Sequence, residues 1–101
     1  MTLKEIVKDF ENRVKELELY SKKYSANSLE GMAFEHKKRV IEELIKYHED
    51  ELFLVIDDLK RRVNSLQELI NYCGREPFQD KQEVLIEILE YYVKIAEKEN
   101  V

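Results

Sequence analysis

His48 and Glu51 stand one helical turn apart in the middle of this 101-residue chain. An imidazole beside a carboxylate at that distance is half of a metal site, or the start of an acid-base pair. Helical metal sites, however, pair two His at i and i+4, or a Glu with a His three residues after it. Neither spacing occurs, and the only other histidine, His36, lies about 120° further round the same expected helix. No Ser or Cys stands near a His, and no Gly-rich loop is available to cradle a phosphate. Cys73, the single cysteine, falls at an expected helix C-terminus, where the dipole disfavours a thiolate. It reads as a buried or inert thiol. The expectation is a protein with no catalytic residues, no metal and no cofactor, in which His48 is a seam residue that fixes register between helices.

The charged side chains are more numerous and more suggestive. Lys37, Lys38 and Arg39 form one basic cluster and Lys60, Arg61 and Arg62 a second, 23 residues on. Along a continuous helix that is about 34 Å, close to one turn of duplex DNA. The same 23 residues leave a rotation of about 140°, so the clusters face different ways, and no aromatic residues interleave with them. Nucleic acid is therefore disfavoured as a partner, and the bases are expected to meet acids on a neighbouring helix, Arg61 near Glu90. On the last helix Glu83, Glu87, Glu90 and Glu97 line one face, interrupted by Lys94. Such a face is ordinarily solvated, and its functional alternative is an acidic docking strip for a basic partner surface. In size and Lys/Glu-rich style the chain is loosely similar to small inhibitory proteins of phages and mobile elements, a similarity that no motif carries.

The elements that position these groups are helices. Two Gly, one Pro, no Trp and 39% charged residues suit long solvated helices and no sheet. The net charge of −5 is C-terminal in origin: residues 1–25 carry six basic and five acidic groups, residues 76–101 three and seven. That balance opposes general binding to nucleic acid or anionic membranes. The longest apolar run, Leu52 to Ile56, is far too short to span a bilayer, and the first ten residues lack the pattern of an export signal. A cytoplasmic protein without membrane association is expected, in keeping with a lone cysteine.

Capping boxes are readable at Thr2 with Glu5, Asn27 with Glu30, and Asp80 with Glu83. Gly74 suits a helix end and Pro77 a helix start. In the first segment Leu3, Val7, Phe10, Val14, Leu17 and Tyr24 form an apolar stripe with Ser21 the one polar entry, and in the last Leu85, Ile88, Tyr92 and Ile95 do. Between them one stripe runs from Ile41 through His48, Leu52, Val55, Leu59 and Val63 to Cys73 without loss of phase. Asp50 has Phe53 where a capping box would place Glu, and no Gly or Pro lies between Gly31 and Gly74. These features favour a single all-α domain, residues 1–101, with helices over about 2–24, 29–73 and 78–98. The central helix would be about 68 Å long, with a terminal helix folded back antiparallel on each half. The alternative is a compact monomeric four-helix bundle with a turn near 48–51, supported by the acid triplet Glu49 to Glu51, which a helix N-terminus would favour.

Five consecutive apolar residues on a helix point in all directions and need cover on all sides. In the long-helix arrangement that cover is a second copy of the chain, so His48, Leu52, Phe53, Leu54, Val55 and Ile56 form the expected seam of a coiled-coil-like homodimer. In the broken arrangement the two halves of one chain cover each other. The function expected is a non-enzymatic, homodimeric interaction module whose partner is another protein, anchored by Tyr20, Tyr24, Tyr47, Tyr72, Tyr91 and Tyr92. Two alternatives stand beside it: a small acidic inhibitor that blocks a host enzyme or nucleic-acid-binding protein, and a nucleic-acid-binding regulator using the two basic clusters.

Overall fold

A computed structural model describes residues 2–24, 28–47, 49, 51–76 and 78–99. Thr2 closes the expected capping box with Glu5 and starts α1 (Leu3–Ser21). The next start lies one residue past the expected cap. Asn27 is outside the described residues, and Ser28 accepts a hydrogen bond from the Gly31 amide at the head of α2 (Leu29–Lys46). Gly74, at φ 96°, ends α3 (Leu52–Cys73) in a conformation that a side chain would oppose. Pro77 is outside the described residues, and α4 (Phe78–Glu99) begins just past it, so Asp80 stands in its first turn and is not its cap.

The central helix is two helices, which corrects the expectation of one long helix over 29–73. Tyr47 leaves α2 at φ −127° and ψ 72°, and Glu51 is extended ahead of α3. The molecule measures 45 × 32 × 22 Å, too short in every direction for a helix of about 68 Å. The four-helix alternative fits. Breaking the helix gives up a few exposed backbone hydrogen bonds, each with a net value of about 0.5–1.5 kcal/mol. In return α2 and α4 come together, and each Val, Leu or Ile buried there contributes about 1.5–3 kcal/mol. An unbroken apolar phase thus did not require an unbroken backbone.

The chain forms two antiparallel hairpins, α1–α2 and α3–α4, which meet chiefly through α2 and α4. The core contains Ile6 and Phe10 from α1, Val40, Ile41 and Leu44 from α2, Val55, Ile56 and Leu59 from α3, and Val84, Leu85, Ile88 and Tyr92 from α4. On α1 Phe10, Val14 and Leu17 of the expected stripe face the core, and Ile6, outside that stripe, is fully buried where Val7 is half-buried. Among the described residues no charged side chain is buried. Cys73 is exposed, where a buried or inert thiol was expected.

Glu51 gives α3 no side-chain cap. Shortening it to Asp keeps the negative charge at the helix N-terminus and brings an oxygen within reach of the unpaired amides. Glu51→Asp should therefore raise stability by about 0.5–1.5 kcal/mol in chemical denaturation. If residue 51 were inside a helix, the same change would lower stability by a few tenths of a kcal/mol.

Candidate functional site

Four of the six expected seam residues are covered, wholly or in part, by the chain itself. Val55 and Ile56 are in the core, and Leu52 and Leu54 are half-buried. Only Phe53 stays largely exposed, at 59%, in a shallow hollow with Ala96 and Glu99 of α4. His48 lies outside the described residues. The run faces all ways as its sequence implies, and the second hairpin supplies most of its cover.

Most side chains of the two basic clusters are engaged with acids. Arg39 Nε is 3.2 Å and Lys38 Nζ 3.5 Å from Glu35, and Lys38 also reaches Glu18 of α1 at 4.0 Å. Arg62 Nε donates to Asp58 at 2.8 Å, while its terminal nitrogens lie 3.9 Å from Glu43 and 3.3 Å from the Tyr47 carbonyl, tying α3 to the end of α2. Arg61 pairs with Asp58 at 3.7 Å on its own helix, in place of the expected Glu90. These are mostly i, i+3 and i, i+4 partners, so the clusters are locally neutralised. Lys60 is exposed, and Lys37 lines a cleft between α1, α2 and α4.

The acidic strip is where periodicity places it. Glu83, Glu87, Glu90 and Glu97 are all exposed on the outer face of α4, and among the described residues none is held in an ion pair. Glu83 accepts a 3.4 Å hydrogen bond from Gln79 one turn earlier. Tyr91 and Ile86 flank the strip, each partly exposed.

The tip of the first hairpin holds a surface that the stripes did not single out. Tyr20 and Tyr24 both stack on Phe34, with centroids at 6.0 and 5.6 Å, and Lys23 sits 5.3 Å from the Tyr20 ring. Leu19, Leu29 and Met32 are exposed on the same two helix ends. Leu29, Met32 and Phe34 precede the long stripe that starts at Ile41, so a signal for this patch was present as apolar residues belonging to no stripe.

A second concavity opens between α2 and α3, which make little contact along their length. It has a volume of about 330 Å³. Val40, Leu66, Leu69, Phe78 and Leu85 give it an apolar lining, and Arg61, Arg62 and Lys81 stand with Glu43 and Asp58 at its edge.

Tyr92, expected as an interface anchor, is fully buried and holds the hairpins together. Its hydroxyl donates to Asp9 Oδ2 of α1 at 2.7 Å, and the same oxygen accepts from Arg13 Nε at 2.8 Å. Phe10 meets the Tyr92 ring edge-on, and the Arg13 guanidinium lies 5.0 Å from the Tyr91 ring. Burial, then the hydrogen bond to Asp9 and its charge, push the Tyr92 phenol well above the ordinary tyrosine range, against a smaller opposing effect of Arg13. His36 Nδ1 and Asp80 Oδ2, 3.3 Å apart, make a second polar link, between α2 and the first turn of α4.

Among the described residues, no three His, Cys, Asp or Glu side chains are grouped so as to hold a metal ion. No helix among them is long and apolar enough to cross a membrane. The chain matches no family model, no curated protein and no solved structure.

Tyr92→Phe removes a hydrogen bond to a charged acceptor and should lower stability at neutral pH by about 1.5–3 kcal/mol. The phenol's folded value is raised, so its contribution is complete below the unfolded value, near 10, and declines as pH rises above it. The denaturation midpoints of wild type and variant should converge between about pH 10 and pH 11.5. A gap that stays constant over that window would contradict the assignment.

Proposed function

We propose that this chain is a non-enzymatic helical interaction module that binds another protein through the tip of its first hairpin. The observation that carries this reading is the ordering of exposed aromatic rings there. Tyr20, 51% exposed, and Tyr24, 44% exposed, are both stacked on Phe34, and Leu19, Leu29 and Met32 are exposed on the same two helix ends. Apolar side chains grouped on a surface mark interaction sites, and tyrosines held before binding lose little conformational freedom when a partner arrives. Homodimerisation through the same patch is the self-associating form of this reading. It no longer draws on residues 52–56, since the chain covers most of that run itself.

A second reading, the acidic inhibitor, is favoured by the four carboxylates of α4, which stay exposed and outside ion pairs among the described residues. A predominantly negative face of this kind steers a basic partner and suits a surface evolved to occupy an anion-binding site. The basic clusters give the nucleic-acid alternative less support, because four of their six side chains, Lys38, Arg39, Arg61 and Arg62, are paired with acids.

Two measurements separate the readings. Light scattering at micromolar concentration should give twice the chain mass if the patch joins two copies, and Tyr20→Ser with Tyr24→Ser should return it to the monomer with helicity kept. If the chain is monomeric, a partner captured from lysate should be lost by the tyrosine double variant under the first reading. Under the second it should be lost by Glu83→Gln, Glu87→Gln and Glu90→Gln together, with release by salt. A partner retained by both variants would exclude both surfaces.

A further inference from the structure

The groove between α2 and α3 lies away from both surfaces argued above and has a chemistry of its own. We propose that it binds a small amphipathic monoanion, with an apolar body of roughly ten carbon atoms ending in a carboxylate. Its volume, about 330 Å³, is at the small end of the range for ligand pockets, about 300–1,000 Å³.

The apolar half of the argument is the lining. Leu66 and Leu69 of α3 line the groove together with Phe78 and Leu85 of α4, and Leu69 is 41% exposed. Ligand body placed on this lining removes apolar surface from water on both sides. The charged half is the edge. Arg62 is committed to Asp58, Glu43 and the Tyr47 carbonyl, and together with Arg61 it balances the two carboxylates that would otherwise repel an anion. Arg61 is held only at 3.7 Å by a carboxylate that Arg62 already engages more closely. Lys81 makes no ion pair among the described residues, although half-buried at the groove. Three cations against two acids leave one positive charge among the lining residues of the trough, carried by Lys81. One negative charge satisfies it. A cation would meet Lys81 unshielded, and a dianion would lack a second free partner.

Sodium decanoate, kept below its micelle concentration, is the probe. Isothermal titration into the full chain should show one site per chain with a Kd below about 1 mM. Amide resonances of Leu66, Leu69, Phe78 and Leu85 should move together during the titration. Lys81→Glu should weaken binding about tenfold or more with thermal stability unchanged, and Leu69→Asn should weaken it without altering the preference for an anion. Decylammonium should bind at least tenfold more weakly than decanoate. Equal affinity for the two head groups, several decanoates per chain, no binding, or unaltered affinity in folded Lys81→Glu would each overturn the proposal. The tip patch is on the other hairpin, so Tyr20→Ser with Tyr24→Ser should bind decanoate as the wild type does. Failure here leaves the protein-interaction reading separately testable.

Discussion

Two helical hairpins become one molecule only if something fixes how the second sits on the first, and here that constraint is centred on Tyr92. Apolar packing between α2 and α4 supplies most of the attraction, but packing is non-directional and tolerates sliding. The Tyr92 hydroxyl does not. It reaches Asp9 on α1 at 2.7 Å while its ring is buried edge-on against Phe10, so the height and rotation of α4 relative to α1 are set together. Arg13 donates to the same carboxylate oxygen at 2.8 Å, so Asp9 is partnered on both sides at a partly buried position. With that register set, His36 comes opposite Asp80 at the other end of α4.

The same register decides what is left outside. Because α4 turns Val84, Leu85, Ile88 and Tyr92 inward, its glutamates are turned outward, outside any ion pair among the described residues. The basic clusters of α2 and α3 have a different fate, since acids three and four residues away on their own helices take them up. Such exposed pairs contribute little to stability. Their consequence is electrostatic: the molecule presents its uncompensated charge on α4 and shows little net positive field where its lysines and arginines are densest.

The break between α2 and α3 shapes the rest of the surface. A chain that folds back at 47–51 lets the run from Leu52 to Ile56 find cover within its own molecule, and Phe53 alone remains mostly outside. It also lets α2 and α3 diverge, with Arg62 bridging them near the connection and an apolar trough open beyond it. Groove and tip patch are therefore products of the hairpin arrangement and not of any local motif.

By itself the sequence determined the all-helical class, the turns near residues 25 and 75, the Thr2 capping box, the Gly74 helix end and the inward stripe of α4. All of these are set by contacts within a few residues, or by a periodicity that the helix imposes. It also placed the acidic strip, because a polar face is the complement of an apolar one. Only the tertiary structure decided that the central helix breaks, since the gain lies in burying α2 against α4, residues 40–44 against 84–92, and no local rule near Glu49 to Glu51 contains that energy. The pairing of Asp9 with Tyr92 spans 83 residues, and a tyrosine in a stripe reads equally as an anchor for a partner or as a clamp within the chain. Phe34 lies off every stripe, and its stacking between two tyrosines depends on how α1 meets α2 at the hairpin tip. Periodicity says which face of a helix goes inward; which other helix it meets there, and what that meeting leaves exposed, is settled by packing over the whole chain.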